Sequence, residues 1–270
     1  MATFSVGTPF GDEPLAEVDL KHAPLARVIT QLRYPRLASM ADDTIARTFA
    51  RLVSDSYPIF EETREVNWII GSAAPGQQEQ MTRPVWRLQT AANDWSVTLG
   101  QNSLALETTE YPGRQDFCER FVSLVKIFNK CANPPRFDRL GVRYINRITD
   151  MNIISQVEPL VRPEIVGMAA LRRPDGNALN HAVMEAQFDH GDTTLLVKTG
   201  FLPPEATIDL AITPVHTSSW ILDIDSFVSD NLGASGAATE DQMVHLASRA
   251  YRFFRYSVSD EFLDLFQGAA

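Results

Sequence analysis

The connections between three strand-like segments in the first half of the chain constrain the fold most. Alternating apolar residues mark these segments at about 85–91, 95–100 and 103–109, and Asn93-Asp94 and Gln101-Asn102 supply the turns between them. A parallel strand pair needs a crossover of about a dozen residues or more, so connections this short predict antiparallel hairpins. The sequence therefore predicts an α+β fold with an antiparallel sheet rather than a parallel βαβ winding.

The same order of elements occurs twice along the chain. In the first half, a strand pattern at 25–34 precedes a helical pattern at 42–55, the hairpin strands and a long helix at 114–131. In the second half, a strand pattern at 137–148 precedes further strands and a long helix at 240–256. The other predicted strands are 66–70, 164–172, 182–189, 193–201 and 219–228, with a loop at 72–84, a short helical or irregular segment at 151–160 and a final helical turn at 261–266.

A short residue echo supports an internal duplication. Leu32-Arg33-Tyr34-Pro35-Arg36 resembles Val142-Arg143-Tyr144-Ile145-Asn146-Arg147 at an offset of 110, and each copy lies in the first strand of its half. We therefore predict an N-terminal arm at 1–19 and two related halves, 20–133 and 135–267, that form one integrated unit. A curved antiparallel sheet covered by two long helices resembles the saddle of TATA-box-binding proteins or a helix-grip fold. This is a likeness of architecture and implies no activity.

Helical periodicity also predicts which side chains are buried. The expected buried residues are Ile45, Phe49, Leu52 and Val53 in the first helix, Phe117, Phe121, Leu124, Val125 and Phe128 in the second, Val244, Ala247, Tyr251 and Phe254 in the last long helix, and Phe262, Leu265 and Phe266 in the final turn. Thr239 and Gln242 match a capping box, which predicts that the last long helix begins just after Thr239.

The balance of charge narrows the range of partners. The chain of 270 residues carries 24 Lys/Arg and 34 Asp/Glu, a formal net charge of −10, which disfavours broad nonspecific binding to nucleic acid. The charge is uneven, because residues 112–173 hold 11 Lys/Arg and 6 Asp/Glu, a local +5, while the remainder amounts to −15. A nucleic-acid contact through a local basic strip therefore stays open as a minor alternative, and the acidic remainder also permits a DNA mimic.

The most distinctive segment is the strand pattern at 137–148. Alternate residues of a strand share a face, so Arg139, Arg143 and Arg147 line up, and Arg33 joins them if the first strands of the two halves pair. Guanidinium forks suit carboxylates and phosphates, which predicts a ligand-binding strip for an anion or a protein partner. The structural alternative is that these arginines pair with Asp and Glu of neighbouring strands.

Two further sets of charged residues also allow a functional and a structural interpretation. Asp223 and Asp225 share a strand face and suit a hard cation such as Mg²⁺. Since no third ligand is spaced to complete a site, we expect them to face arginines or solvent. Arg249, Arg252 and Arg255 form a basic stripe on the last long helix. We expect that stripe to be solvated, with a contact to protein or nucleic acid as the alternative.

The sequence contains no recognisable catalytic or cofactor motif. The five histidines are scattered, nucleophile-elbow and phosphate-loop motifs are absent, and Cys118 and Cys131 are expected to be small buried side chains. We therefore predict no catalytic residue, no metal and no cofactor. No apolar run reaches the roughly 18–20 residues that span a bilayer. Since a secretory leader is also absent, we expect a cytoplasmic protein without membrane contact.

Several short motifs resemble those of a sporadically distributed family of uncharacterised bacterial proteins of about this length. They are Ala23-Pro24-Leu25-x-x-Val28, Asp138-Arg139-x-Gly141-x-Arg143-Tyr144-x-Asn146, the segment Thr108–Tyr111 and Leu222-Asp223-Ile224-Asp225. The resemblance covers nearly the whole chain and brings no assigned activity. A sporadic distribution is common among mobile genes, so the resemblance implies a connection with toxin–antitoxin or anti-phage modules.

Two hypotheses from different functional classes follow. The first is a non-enzymatic binding or regulatory protein with a protein partner, such as the neutralising or sensing component of a defence or toxin–antitoxin operon. The second is a small-molecule-binding or enzymatic domain that uses a helix-grip cavity. A deep apolar pocket would favour the second, whereas a flat or saddle-shaped surface would favour the first. The acidic DNA mimic ranks third.

Overall fold

The predicted strand and helix patterns form an α+β structure in the computed structural model, which describes residues 2–11, 13, 15–67, 81–171, 177–209, 211–233 and 236–267. The strands are β1 (Leu25–Arg33), β2 (Ile59–Asn67), β3 (Met81–Gln89), β4 (Trp95–Gly100), β5 (Ser103–Thr108), β6 (Phe137–Ile148), β7 (Ala182–His190), β8 (Thr193–Leu202) and β9 (Ser219–Leu232). The helices are α1 (Thr44–Val53), α2 (Arg114–Ala132), α3 (Met151–Ile154), α4 (Val157–Leu160), α5 (Pro163–Val166), α6 (Gly236–Ser257) and α7 (Asp260–Gln267).

The strands belong to one sheet in the order β2-β3-β4-β5-β1-β6-β9-β8-β7. The hairpin pairs are antiparallel, with Trp86 opposite Leu99 on β3 and β4 and Lys198 opposite Asp223 on β8 and β9. The short connections between 81 and 108 therefore produce the antiparallel hairpins that the sequence predicts. Within the described ranges, none of the helices combines the length and the apolar character that a membrane crossing requires.

Contacts along the chain define two compact units, which are described separately below. Unit 1 comprises Met1–Val28, Gly141–Val228 and Met243–Ala270, and unit 2 comprises Ile29–Leu140 and Ser229–Gln242.

The core of unit 2 lies between the sheet and the helices α1 and α2. Phe117, Phe121 and Phe128 of α2 are fully buried. The rings of Phe128 and Tyr34 lie 4.7 Å apart between centroids, and those of Phe117 and Trp95 lie 5.9 Å apart. Since a buried phenol needs a hydrogen-bond acceptor, the Tyr34 hydroxyl donates to the Gly100 carbonyl at 2.7 Å. Burial raises the pKa of Tyr34.

The core of unit 1 lies between the sheet and α6, with α7 packed beside it. Trp220, Leu222 and Ile224 of β9 are buried against Phe253 of α6 and Phe262 of α7 in one apolar cluster. Alternate residues of β9 therefore supply the core, while the intervening residues project from the other side of the strand.

One predicted strand and several boundaries differ from the structure. The segment predicted as a strand at 164–172 forms the helix α5 and a 3-10 turn at Gly167–Ala170. Pro163 occupies the first helical turn, where its missing N–H costs nothing, and this local start outweighs the strand preference of Ile165-Val166. Strand β2 begins at Ile59 rather than at 66. Most of the predicted loop at 72–84 lies outside the described residues, although β3 already begins at Met81.

The predicted apolar faces of three helices are partly wrong. Leu52, Val244 and Leu265 are exposed by 57%, 42% and 47% of their surface, whereas Ala46 and Met243 are fully buried. The buried face is set by the sheet that each helix packs on, and small or flexible side chains can fill it as well as leucine. Thr239 is not the cap of α6, because that helix already begins at Gly236 and buries the Thr239 side chain.

Candidate functional site

The central arginine of the predicted strip, Arg143, forms a two-pronged ion pair in unit 1. Its Nε and Nη2 atoms donate to the two carboxylate oxygens of Asp223 at 2.8 and 2.7 Å. The same Nη2 atom lies 3.1 Å from Oδ2 of Asp209. Arg143 lies on β6 and Asp223 on β9, while the connection between β8 and β9 contributes Asp209. The Asp223 side chain is only 3% exposed, so this pair is held away from water.

Charge compensation dominates the electrostatics of this cluster. Burial by itself lowers the pKa of Arg143, but the hydrogen bonds and charges of Asp223 and Asp209 outweigh burial and raise that pKa. Burial likewise raises the pKa of Asp209, but the Ala211 N–H and the charge of Arg143 outweigh it and lower the net value. Arg143 and Asp209 are therefore both charged at neutral pH, and the guanidinium is occupied by the carboxylates of Asp209 and Asp223.

Arg147 is bound mainly by uncharged oxygens. Its Nε donates to Oγ of Ser219 at 3.0 Å, and its Nη1 donates to the backbone carbonyl of Thr213. The Thr213 hydroxyl also accepts from Nη2 of Arg27 at 3.4 Å. Burial lowers the pKa of Arg147, and its Nη2 atom is buried without a partner among the described residues. Two arginines thus hold the connection between β8 and β9 against the sheet.

Alternating charges continue across the neighbouring strands of unit 1. Lys198 of β8 lies opposite Asp223 in the strand register, and its Nζ lies 3.2 Å from Glu185 of β7. Opposite charges on adjacent strands stabilise a sheet face by cross-strand attraction. This arrangement, from Arg143 through Asp223 and Lys198 to Glu185, is what the structural interpretation of the arginines requires.

The four predicted ligand-binding arginines divide between the two units. Arg143 and Arg147 belong to unit 1, whereas Arg33 and Arg139 belong to unit 2. Arg33 is exposed at the end of β1, where its Nε donates to Oε1 of Gln31 at 3.0 Å. Arg139 is half-buried on β6. The contacts of Arg143 and Arg147 are structural in character, while Arg33 presents its guanidinium at a surface.

One face of the sheet in unit 2 is polar and partly exposed, and we call it the open face. Along β1 and β5, residues that point to the helices are buried, and those between them are accessible. On this face, Arg87 donates from Nε to Ser96 at 2.9 Å and from Nη2 to Glu107 at 2.7 Å. The partly exposed residues that define the open face are Ile29, Gln31, Arg33, Arg87, Gln89, Thr98, Ala105 and Glu107.

Asp223 and Asp225 are the two acidic residues that could suit a cation, but Asp223 already pairs with an arginine. Asp223 is occupied by Arg143, and Asp225 is half-buried two residues further along β9. Across the described part of the chain, no three His, Cys, Asp or Glu side chains converge as metal ligands would. Cys118 is buried and Cys131 half-buried, neither forms a disulfide, and burial raises the pKa of the Cys131 thiol.

The basic stripe of α6 is covered rather than solvated at Arg252 and Arg255. Arg252 was expected to be solvated but is only 7% exposed, and the backbone carbonyl of Glu13 accepts a hydrogen bond from its Nη2. Arg255 donates from Nη2 to Oγ of Ser5 at 3.1 Å. The predicted arm before β1 therefore covers this stripe. The arm is held mostly through its backbone atoms, and contacts of that kind leave no pattern in a sequence.

The chain matches no family model, and no curated protein matches it significantly.

Proposed function

We propose that the protein is a non-enzymatic binding protein that recognises another protein through the open face of unit 2. Its biological setting, as the regulatory partner in a bacterial defence or toxin–antitoxin module, rests on the family resemblance given above. The observation that supports this function best is a polar and partly exposed sheet face above a layer in which described aromatic side chains of the helices pack closely on the sheet.

Packing beneath the sheet argues against a helix-grip cavity. In unit 2, the Phe128 ring lies 4.7 Å from Tyr34 and 6.4 Å from Phe49, so side chains of α1, of α2 and of the residue that follows β1 meet in the layer that a ligand would occupy. In unit 1, Phe253 of α6 contacts Phe188 of β7 at 6.2 Å. A small-molecule site needs a concave space with convergent polar groups, whereas these contacts are those of a close-packed core.

The mixed charge of the open face favours a protein over a nucleic acid. Arg87 is 41% exposed and joined to Glu107, and Glu61 lies opposite Arg87 in the register of β2 and β3. Carboxylates beside the arginines repel a phosphate backbone, so this face lacks the uniform basic potential that nucleic acids require. Interspersed donors and acceptors suit the polar rim of a protein interface.

The proposed architecture is an internal duplication with the likeness to a TATA-binding-protein saddle noted above. In the sheet order, β1 is followed outwards by β5, β4, β3 and the additional strand β2, while β6 is followed outwards by β9, β8 and β7. This correspondence supports the proposed halves 20–133 and 135–267, with 1–19 as an arm. Superposition of the halves on β1 and β6 tests the duplication. Placement of residues 27–34 and 139–146 at non-equivalent positions would exclude it.

Affinity capture tests the proposed function directly. The tagged full chain is expressed in the organism that encodes it, and the captured proteins are identified by mass spectrometry. Arg33→Glu reverses a charge on the open face, and Thr98→Arg places a long side chain near its middle. We expect both variants to lose the captured partner at least about tenfold, because interfaces depend on charge and shape complementarity.

Lys126→Glu is the matched control, since Lys126 is exposed on α2 and undergoes the same charge reversal away from the open face. The control should retain the partner, and all variants should keep the melting temperature of the original chain. Equal capture by the open-face variants and the control would contradict the proposal. Recovery of a co-purifying small molecule instead of a protein would support the helix-grip alternative.

A further inference from the structure

The segment of residues 2–20, which we call the strap, lies along α6 and α7 in unit 1; its residues 12 and 14 are outside the described part. Near its start, the Asp260 N–H donates to the Thr3 carbonyl at 2.8 Å, and the Thr3 N–H donates to Glu261 at 3.3 Å. Just beyond its end, the His22 N–H donates to the Phe266 carbonyl at 3.0 Å. The strap is therefore attached at both ends.

Arg162 binds the strap from the turn before α5. Its Cζ lies 4.4 Å from the ring centroid of Phe4 and 4.2 Å from that of Tyr256, so the guanidinium is sandwiched between two rings. Its Nη2 donates to the Val6 carbonyl at 2.8 Å, and its Nε donates to the Tyr256 carbonyl at 2.6 Å. The Tyr256 hydroxyl, 2.6 Å from Glu164, is in turn fixed in orientation.

Side chains of α6 also contact the strap, further along its length. The Tyr251 hydroxyl accepts from the Val18 N–H at 2.8 Å and donates to the Ala16 carbonyl at 3.2 Å. The Arg252 guanidinium lies under Gly11, where an added Cβ would be 3.7 Å from its Cζ. We call Arg162, Tyr251, Arg252, Arg255 and Tyr256 together the arginine–tyrosine surface.

Most of the hydrogen bonds between this surface and the strap involve backbone atoms of the strap rather than its side chains. The carbonyls of Val6, Glu13 and Ala16 each accept from this surface. Val6 is the one strap side chain that is buried among the described residues. The other apolar contacts of the strap are partial: the Phe10 ring lies 5.1 Å from that of Phe188, and Val18 and Leu20 pack, partly buried, against the core of unit 1. With a single fully buried side chain, the strap opens at a lower free energy than the core. The surface can therefore exchange its occupant without unfolding the unit.

The charge of the strap matches this surface. Residues 2–20 contain four acidic residues and no Lys or Arg, while the arginine–tyrosine surface contributes three guanidinium groups. Extended acidic segments with an aromatic anchor are suited to such a surface, because Arg stacks on rings and donates to carbonyls and carboxylates at once.

We propose that the strap is an internal ligand, and that the arginine–tyrosine surface is a docking site for an extended acidic segment of a partner protein with an aromatic residue at the Phe4 position. The site lies in unit 1 and is independent of the open face. Because a tethered segment competes at an effective concentration in the millimolar range, the partner segment binds strongly only when the strap is weakened or displaced. The strap thus regulates access to the site.

A labelled peptide of residues 2–20 tests this proposal with the full chain. Phe4→Ala in the chain removes the aromatic anchor of its own strap and leaves the surface intact. We expect this variant to bind the wild-type peptide at least about tenfold more tightly than the unmodified chain does, measured by fluorescence anisotropy. A second variant that combines Phe4→Ala with Arg162→Ala should lose that gain, since the stacked guanidinium is gone.

Three further measurements make the result decisive. A peptide with the same residues in scrambled order should bind at least about tenfold more weakly, and hydrogen exchange of the amides at 15–20 should accelerate in the Phe4→Ala chain. Equal peptide affinity for the unmodified and Phe4→Ala chains, with both folded by near-ultraviolet circular dichroism, would overturn the proposal. A dimer of the Phe4→Ala chain in light scattering would also overturn it, because the occupant would then be a second copy.

Discussion

Arg143 and Asp223, 80 residues apart in the chain, meet as a bidentate pair with N–O distances of 2.8 and 2.7 Å. The pair joins β6 to β9, and Asp209 adds a second carboxylate to the same guanidinium at 3.1 Å. Two formal negative charges around one half-buried cation make the cluster sensitive to the loss of any member.

Asp223→Asn should destabilise the protein by about 1.5–3 kcal/mol, because it replaces two charge-assisted hydrogen bonds of the buried Asp223 carboxylate and leaves Asp209 as the one carboxylate on Arg143. The free energy of unfolding from urea denaturation measures this loss. Asp138→Asn on β6 is the control, since the Asp138 and Arg136 side chains are 39% and 56% exposed. Exposed pairs contribute about 0–1 kcal/mol, and a loss as large as that of Asp223→Asn in the control would contradict the explanation.

Acid should weaken the protein partly through Asp209. Its folded pKa is depressed below the ordinary value of 3.8, so its stabilisation is complete above about pH 4 and is lost as the pH falls through the folded pKa. The destabilisation caused by Asp209→Asn should therefore be largest at neutral pH and shrink towards zero in acid. Urea denaturation at pH 7, 5, 4 and 3 measures this trend; a difference that is constant with pH would exclude the ion pair as its cause.

Gly200→Ala should strongly destabilise unit 1. Gly200 has φ of +153°, and an added Cβ would lie 2.0 Å from the Ala182 carbonyl oxygen of β7. The backbone conformation alone costs about 1–3 kcal/mol for an L side chain, and the clash adds to this by separating β7 from β8. Gly7→Ala meets no atom within 4 Å and should change thermal stability little. A melting temperature for Gly200→Ala equal to that of Gly7→Ala would show that β7 shifts freely.

Truncating one buried and one exposed apolar side chain of unit 2 should give very different losses of stability. Phe128 is fully buried between Tyr34 and Phe49, so Phe128→Ala should cost about 3–5 kcal/mol in unfolding free energy. Leu52 is 57% exposed on α1, so Leu52→Ala should change the free energy by about 0.5 kcal/mol or less. Comparable losses would mean that Leu52 is covered in solution by something other than its own unit.

Strands with a clear alternation were the most predictable part of the fold. The predicted bounds of β4 and β6, 95–100 and 137–148, agree with the structure. Period-two alternation and explicit turn residues are local signals, and both occur there. The strand predicted at 164–172 failed because β-branched residues mark strands only weakly, whereas Arg162-Pro163 begins a helical turn.

The burial of individual side chains was less predictable, because it depends on partners distant in sequence. Ala46 carries almost no hydrophobic signal but is fully buried on α1, whereas the more apolar Leu52 projects outwards. The partner of Arg143 was predicted only as a general class, acidic residues of neighbouring strands. The burial of Arg252 is not predictable in this way, because the strap covers it through the Glu13 carbonyl, and every residue of a chain offers a backbone carbonyl.

The separation of 80 residues between Arg143 and Asp223 also orders events during synthesis. At a translation rate of about 5–20 residues per second, the arginine leaves the ribosome several seconds before its acidic partner exists. The α2 helix and the β3–β5 hairpins need no later residues and can form during that interval. The part of β6 in unit 1 remains an incomplete sheet edge until β9 arrives, and its backbone N–H and C=O groups on that side stay unpaired during the interval.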